Sequence, residues 1–116
     1  MNRPNYKGYG DLSSKHWSRI KYRAFRDKRE FDISIEYAWD LFISQNKKCA
    51  LSGLDIVLSP SEKFETTASL DRMDSSLGYI YGNIQWLHKS VNNLKGIMSN
   101  RDCISLCLKI VENNLE

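Results

Sequence analysis

The stretch SLDRMDSSLGYIYGNIQWLHKSVNNLK, Ser69 to Lys95, constrains this chain more than any other. It crowds two Asp, an Arg, a His and three Asn among Leu70, Tyr79, Ile80, Ile84, Trp86 and Leu87. Thr66 to Leu70 favours a strand, Asp74-Ser75-Ser76-Leu77-Gly78 is turn chemistry, and Tyr79 to Leu87 favours strand again with a break at Gly82-Asn83. His88 to Lys95 then closes as a short helix, with Val91 and Leu94 expected to face inward. A packed hairpin followed by a helix is the unit that this spacing predicts.

The flanks read as helices. Ser13 or Ser14 caps one running to about Lys28, with Trp17, Ile20, Ala24 and Phe25 on its inward face. Ser34 caps a second through about Gln45, striped by Ile35, Ala38, Trp39 and Phe42. Leu54 to Leu58 is a candidate short strand, followed by a loop from Pro60 to Glu65. Ser99 and Asp102 form a capping box for the last helix, whose predicted core stripe is Ile104, Cys107, Leu108 and Val111. The class is α+β, with an irregular arm over 1–12 and one domain over 13–116. Within that domain, 13–46 is helical, 47–98 holds the hairpin and its helix, and 99–116 is the last helix.

With 116 residues, 41% of them hydrophobic, the chain can fill one core and not two. No apolar run approaches the roughly 20 residues of a membrane span, and the start MNRPNYKGYGD lacks a signal peptide's apolar core. A cytoplasmic protein without a membrane partner is expected. The three cysteines, an odd number, fit reduced thiols better than a disulfide framework.

Charge is unevenly distributed. Lys15, Arg19, Lys21, Arg23, Arg26, Lys28 and Arg29 crowd the first helix against Asp27 alone. Such a block is either an electrostatic footprint for a polyanion or a solvated helix face. Lys15, Arg19, Arg23 and Arg26 recur at three- and four-residue intervals and so share a stripe. A stripe of that kind suits phosphate contacts.

Asp71 ends the first strand and Asn92 lies in the helix after the second, so a carboxylate and an amide oxygen can share one hard cation. Mg²⁺ accepts such a sparse set because it keeps several waters and binds substrate phosphate. Lys89 and Lys95, on the same short helix, would face a phosphate backbone. The same Asp and Asn residues could equally just cap turns.

The order of these residues resembles the HNH (His-Asn-His) nuclease family of the ββα-metal fold. That family runs Asp-His, a glycine-bearing turn, Asn, then His or Asn nine residues on, then Lys after three more. Here stand Asp71-Arg72, Gly78, Asn83, Asn92 and Lys95. Together with "CALSG" and "EYAWDLFISQNKKC", these words are similar to a phage- and bacterium-borne branch of small endonucleases.

The resemblance implies a DNA endonuclease in a bacterial host cell, dependent on Mg²⁺ or Mn²⁺ and leaving 5′ phosphates. Asp71 and Asn92 would be metal ligands, and Asn83 would orient the loop carrying the catalytic group. Arg72 departs from the family, standing where the general-base His is usual; a guanidinium cannot take a proton at neutral pH. Arg72 would then bind phosphate while Asp74 or His88 acts as base, or the protein is a weak or inactive nuclease that still binds DNA. Zinc-bearing members clamp the hairpin at positions matching Cys49, Ser52, His88 and Val91, of which only Cys49 and His88 could bind zinc. No structural zinc is expected, its place being taken by packing of Leu51, Trp86, Leu87 and the last helix. A homodimer, or a partner protein, would supply sequence specificity.

Overall fold

Trp86 is where the chain closes on itself. Its side chain is fully buried, and its indole N–H donates to the Ala38 carbonyl at 2.8 Å. The computed structural model, which describes residues 8–61 and 65–115, places it on the second strand of an antiparallel pair. The elements in chain order are α1 (Ser14–Arg26), β1 (Phe31–Asp32), α2 (Ile35–Ser44), β2 (Ala68–Arg72), β3 (Tyr79–Ile80), β4 (Ile84–His88), α3 (Lys89–Lys95) and α4 (Asn100–Asn114). The fold is mixed α+β, with four helices and two small sheets among the described residues. No helix among the described residues is long and apolar enough to cross a membrane. Residues 1–7 of the expected arm and 62–64 of the expected loop lie outside the described residues.

Local signals account for most element ends. Ser13, Ser34 and Ser99 each accept a hydrogen bond from the backbone N–H three residues on, satisfying one orphan donor apiece at the starts of α1, α2 and α4. Asn46 and Lys47 turn left-handed to end α2. Leu54 to Leu58 forms no strand; Asp55 makes only an isolated bridge to Lys48.

β2 and β4 pair symmetrically about Gly78, from Ala68↔His88 to Arg72↔Ile84. Because side chains alternate along a strand, Ala68, Leu70 and Arg72 share one face with Ile84, Trp86 and His88. Ser69, Asp71, Gln85 and Leu87 share the other. α2 covers the first face through Trp86, while α3 meets the second.

The segment between the two strands does not stay in one hairpin. β3 leaves to pair in parallel with β1, Phe31 opposite Tyr79, and along that seam the Trp17 and Phe31 rings meet edge to face while those of Phe31 and Tyr79 meet at a tilt. Gly78 permits the crossing. A Cβ there would stand 2.5 Å from the Glu30 carbonyl oxygen, too close for any side chain.

Five expected core positions are corrected. Phe25 is 81% exposed on α1, and Leu94 is exposed on α3 while Lys95, one residue on, is buried. The α4 stripe is also outside the core: Ile104, Leu108 and Val111 are each more than half exposed, and only Cys103 of that helix is buried. Packing around β4 therefore comes from Trp86 and Leu87 with Leu51 partly buried against the core, and the last helix adds only its first turn, through Asn100 and Cys103. The three cysteines are free thiols.

Candidate functional site

The β2–α3 junction brings Ser69 and Asp71 against Asn92 and Lys95. Asn92 donates to the Ser69 hydroxyl at 2.6 Å, and the Lys95 ammonium sits 3.0 Å from Asp71 Oδ2. Both charges of that pair are buried. Gln85, directly across the ladder from Asp71, donates to the same Oδ2 at 3.0 Å and exchanges hydrogen bonds with Asn100 at the start of α4. Lys95 also donates to the Arg72 carbonyl at 3.2 Å. Four elements thus hold one carboxylate. Gln85 and Asn100 escaped the sequence reading, although pairing about Gly78 would have placed Gln85 opposite Asp71.

This geometry corrects the expectation that Lys95 faces a phosphate backbone: its side chain is fully buried on Asp71. It also separates Arg72 from Asp71. The Arg72 guanidinium, on the opposite face of β2, donates to the carbonyls of Ser75 and Leu77 and lies over the Tyr79 ring. Asn83 is buried and clamps the same turn, accepting from the Asp74 N–H and donating to the carbonyls of Asp74 and Gly78. Asn83 thus pins the Asp74–Gly78 turn through that turn's own backbone groups.

The two proton-acceptor candidates lie elsewhere. Asp74 is exposed, and hydrogen bonds from the Ser76 hydroxyl and backbone N–H hold its carboxyl below the usual range. His88 caps α3, its Nδ1 accepting from the Ser90 N–H at 3.1 Å. Nε2 is its remaining nitrogen for proton exchange.

A divalent cation can be tested against the donors present. The ion pair and the Gln85 amide both engage Oδ2, while Asp71 Oδ1 receives no hydrogen bond among the described residues and is not sealed from solvent. One carboxylate oxygen and one amide oxygen suit Mg²⁺, which takes one or two protein ligands plus water and phosphate. They do not suit zinc, and no three His, Cys, Asp or Glu side chains converge among the described residues. Around Cys49, burial pushes the thiol up, but hydrogen bonds from Ser52, Leu51 and the His88 backbone outweigh it and bring the thiol below its ordinary value.

Beside the junction opens a basic cleft of about 450 Å³. Lys15, Arg19 and Arg23 of α1 form one wall, and Lys89 stands with Ser69 and Thr66 on another. Four of the six expected DNA contacts therefore converge. Arg26 is not among them; it pairs with Asp27 on the exposed end of α1. Lys89 also pairs with Glu65.

His16 lies in the same wall, with its ring edge-on to Trp86. Burial, then the nearby charges of Arg19 and Arg23, lower its pKa from 6.5 to about 4. The folded state therefore binds fewer protons than the unfolded chain between these values, and stability falls as pH drops through the window. Relative to His16→Gln, the wild type should lose up to about 3 kcal/mol between pH 6.5 and 4, measured by urea unfolding. The ring is only partly buried, so this is an upper figure.

No family model, no curated protein and no solved structure matches this chain.

Proposed function

We propose that the protein is a divalent-cation-dependent DNA endonuclease of the HNH, ββα-metal type, with its centre at the β2–α3 junction. One observation carries the reading. Ser69 belongs to both parts, accepting from Asn92 beside Asp71 and lining the basic cleft. A strand-end carboxylate, a helix amide and a basic cleft thus adjoin, the set that hydrolysis of a phosphodiester backbone would use.

In this mechanism the cleft holds the strand through its phosphates, with Arg19 and Arg23 as point contacts that read no base. Asp71 Oδ1 and the Asn92 side-chain oxygen would hold the cation, which when bound supplies charge stabilisation at the scissile phosphate. Gln85 and Lys95 fix the Asp71 carboxylate through its other oxygen. Arg72 and Asn83 keep the Asp74–Gly78 turn in place. Of the two candidate bases, Asp74 is weakened because Ser76 holds its carboxyl low, and His88 would have to act from the face of the sheet opposite Asp71.

A second reading is a DNA-binding module without hydrolysis. It is favoured by one feature: the Arg72 side chain is spent on backbone carbonyls, and no imidazole stands on Asp71's face of the sheet. Nicking of supercoiled plasmid in Mg²⁺ or Mn²⁺, abolished by EDTA, is the expected result. Binding without nicking in either metal supports the module.

Both readings share a prediction about salt. Arg19→Ala with Arg23→Ala should weaken duplex binding and reduce the slope of log K against log salt by about 1.8, since each lost phosphate contact removes about 0.9. Titrations across a range of salt concentrations check this. An unchanged slope would leave α1 a merely solvated face.

A further inference from the structure

We infer that α4 is a dimerisation helix, pairing antiparallel with the α4 of a second copy. Ile104, Leu108, Val111 and the C-cap Leu115 are spaced four, three and four apart, which is the seam of a two-helix coiled coil. At a helical turn of 100° per residue they fall within one narrow arc. That arc is not used by its own chain: the four residues are 56%, 56%, 52% and 70% exposed. α4 packs chiefly on α3, and its buried side chain is Cys103, in the first turn.

The exposed surface has the size of an interface. Counting roughly 200 Å² for a fully exposed Leu or Ile, the four seam side chains present on the order of 450 Å² per copy, the apolar share of the about 800 Å² per partner in a standard interface. A seam of such spacing needs another helix with the same knobs, and a second α4 supplies it by symmetry.

Charge selects the direction. The seam position before Ile104 is Arg101, which a parallel pair would set against its own copy. In an antiparallel pair Leu108 faces Val111 of the second copy, Ile104 faces Leu115, and Arg101 lies beyond the overlap.

Sedimentation equilibrium of the full chain tests this. The wild type should have twice the 13.5 kDa chain mass at tens of micromolar. Leu108→Glu with Val111→Glu should weaken the dimer at least 100-fold, whereas Leu106→Glu, off the seam, should leave it intact. Leu108→Glu with Val111→Lys should recover at least tenfold of that loss, because antiparallel pairing sets each new carboxylate against a new ammonium. All these positions are exposed, so circular dichroism should stay native. A monomeric wild type would assign the face to some other partner and overturn the proposal. So would a Glu–Glu variant that still dimerises, or a Glu–Lys variant as monomeric as it.

Discussion

Asp71→Asn is expected to cost about 3–5 kcal/mol of stability, the usual penalty for leaving one partner of a buried ion pair uncompensated. The Lys95 ammonium has no exposed surface, and its other hydrogen bond, to the Arg72 carbonyl, does not neutralise it. Lys95→Met alone should cost a similar amount, since it strands the carboxylate instead. The two together should cost far less than their sum, because a neutral pair of similar volume removes both desolvation penalties. Urea unfolding of the four proteins measures the coupling. Additive losses would mean that the pair is not the energetic unit its geometry suggests.

The same four proteins separate stability from chemistry. If Asp71 serves the proposed cleavage, the double variant should be folded, bind duplex DNA within a few-fold of wild type, and nick plasmid at least 100-fold more slowly. Recovery of nicking along with stability would remove Asp71 from the mechanism. Lys95→Met adds a readout independent of cleavage. With its ammonium gone, Asp71 becomes a better cation ligand, so millimolar Mg²⁺ should raise the melting temperature of this variant more than that of the wild type. The double variant should show no such rise.

Much of this junction was legible from residue order alone. Turn chemistry at Asp74–Gly78 and β-favouring residues on both sides imply a pairing that sets Asp71 near the following helix, where it is found. Ser13, Ser34 and Ser99 announced three helix starts. The failures have physical causes. A lysine is read as solvent-seeking, so burial of Lys95 could be found only by knowing that its helix packs over a carboxylate. Amphipathic spacing shows that a face wants cover, and on α4 no described element of its own chain supplies it, so the stripe expected in the core stands exposed. The β1–β3 seam joins two residues to two others 48 positions away, with no local signal for so distant a parallel bridge. Arg72 and Asp71 are adjacent in the chain but opposed across the sheet, a consequence of strand alternation that a motif read as a string does not express.

That opposition makes the turn after β2 the place where Arg72 acts, and Asn83 is its larger anchor. Asn83→Ala should cost about 3 kcal/mol: it leaves the Asp74 N–H and the Asp74 and Gly78 carbonyls without their partner, and Gly78 is buried. Asn83→Asp should cost more at neutral pH. The introduced carboxylate can still accept from the Asp74 N–H, but it meets two carbonyl oxygens where an amide had donated. Its protonated form can donate to one of them, so the folded state should hold that proton above the ordinary pKa of about 3.9. The bound proton stabilises the fold at low pH, and the benefit is lost as pH rises through the folded-state value. The stability gap between Asn83→Asp and Asn83→Ala should therefore widen from pH 4 to pH 7, with Asp the less stable. Arg72→Ala, which frees the Ser75 and Leu77 carbonyls of the same turn, should add less to Asn83→Ala than it costs alone, because the turn is already released. Hydrogen exchange across Met73–Gly78 reads the release directly. Protection of those amides that survives both substitutions would show that the turn is held by its own backbone, with neither side chain as its clamp.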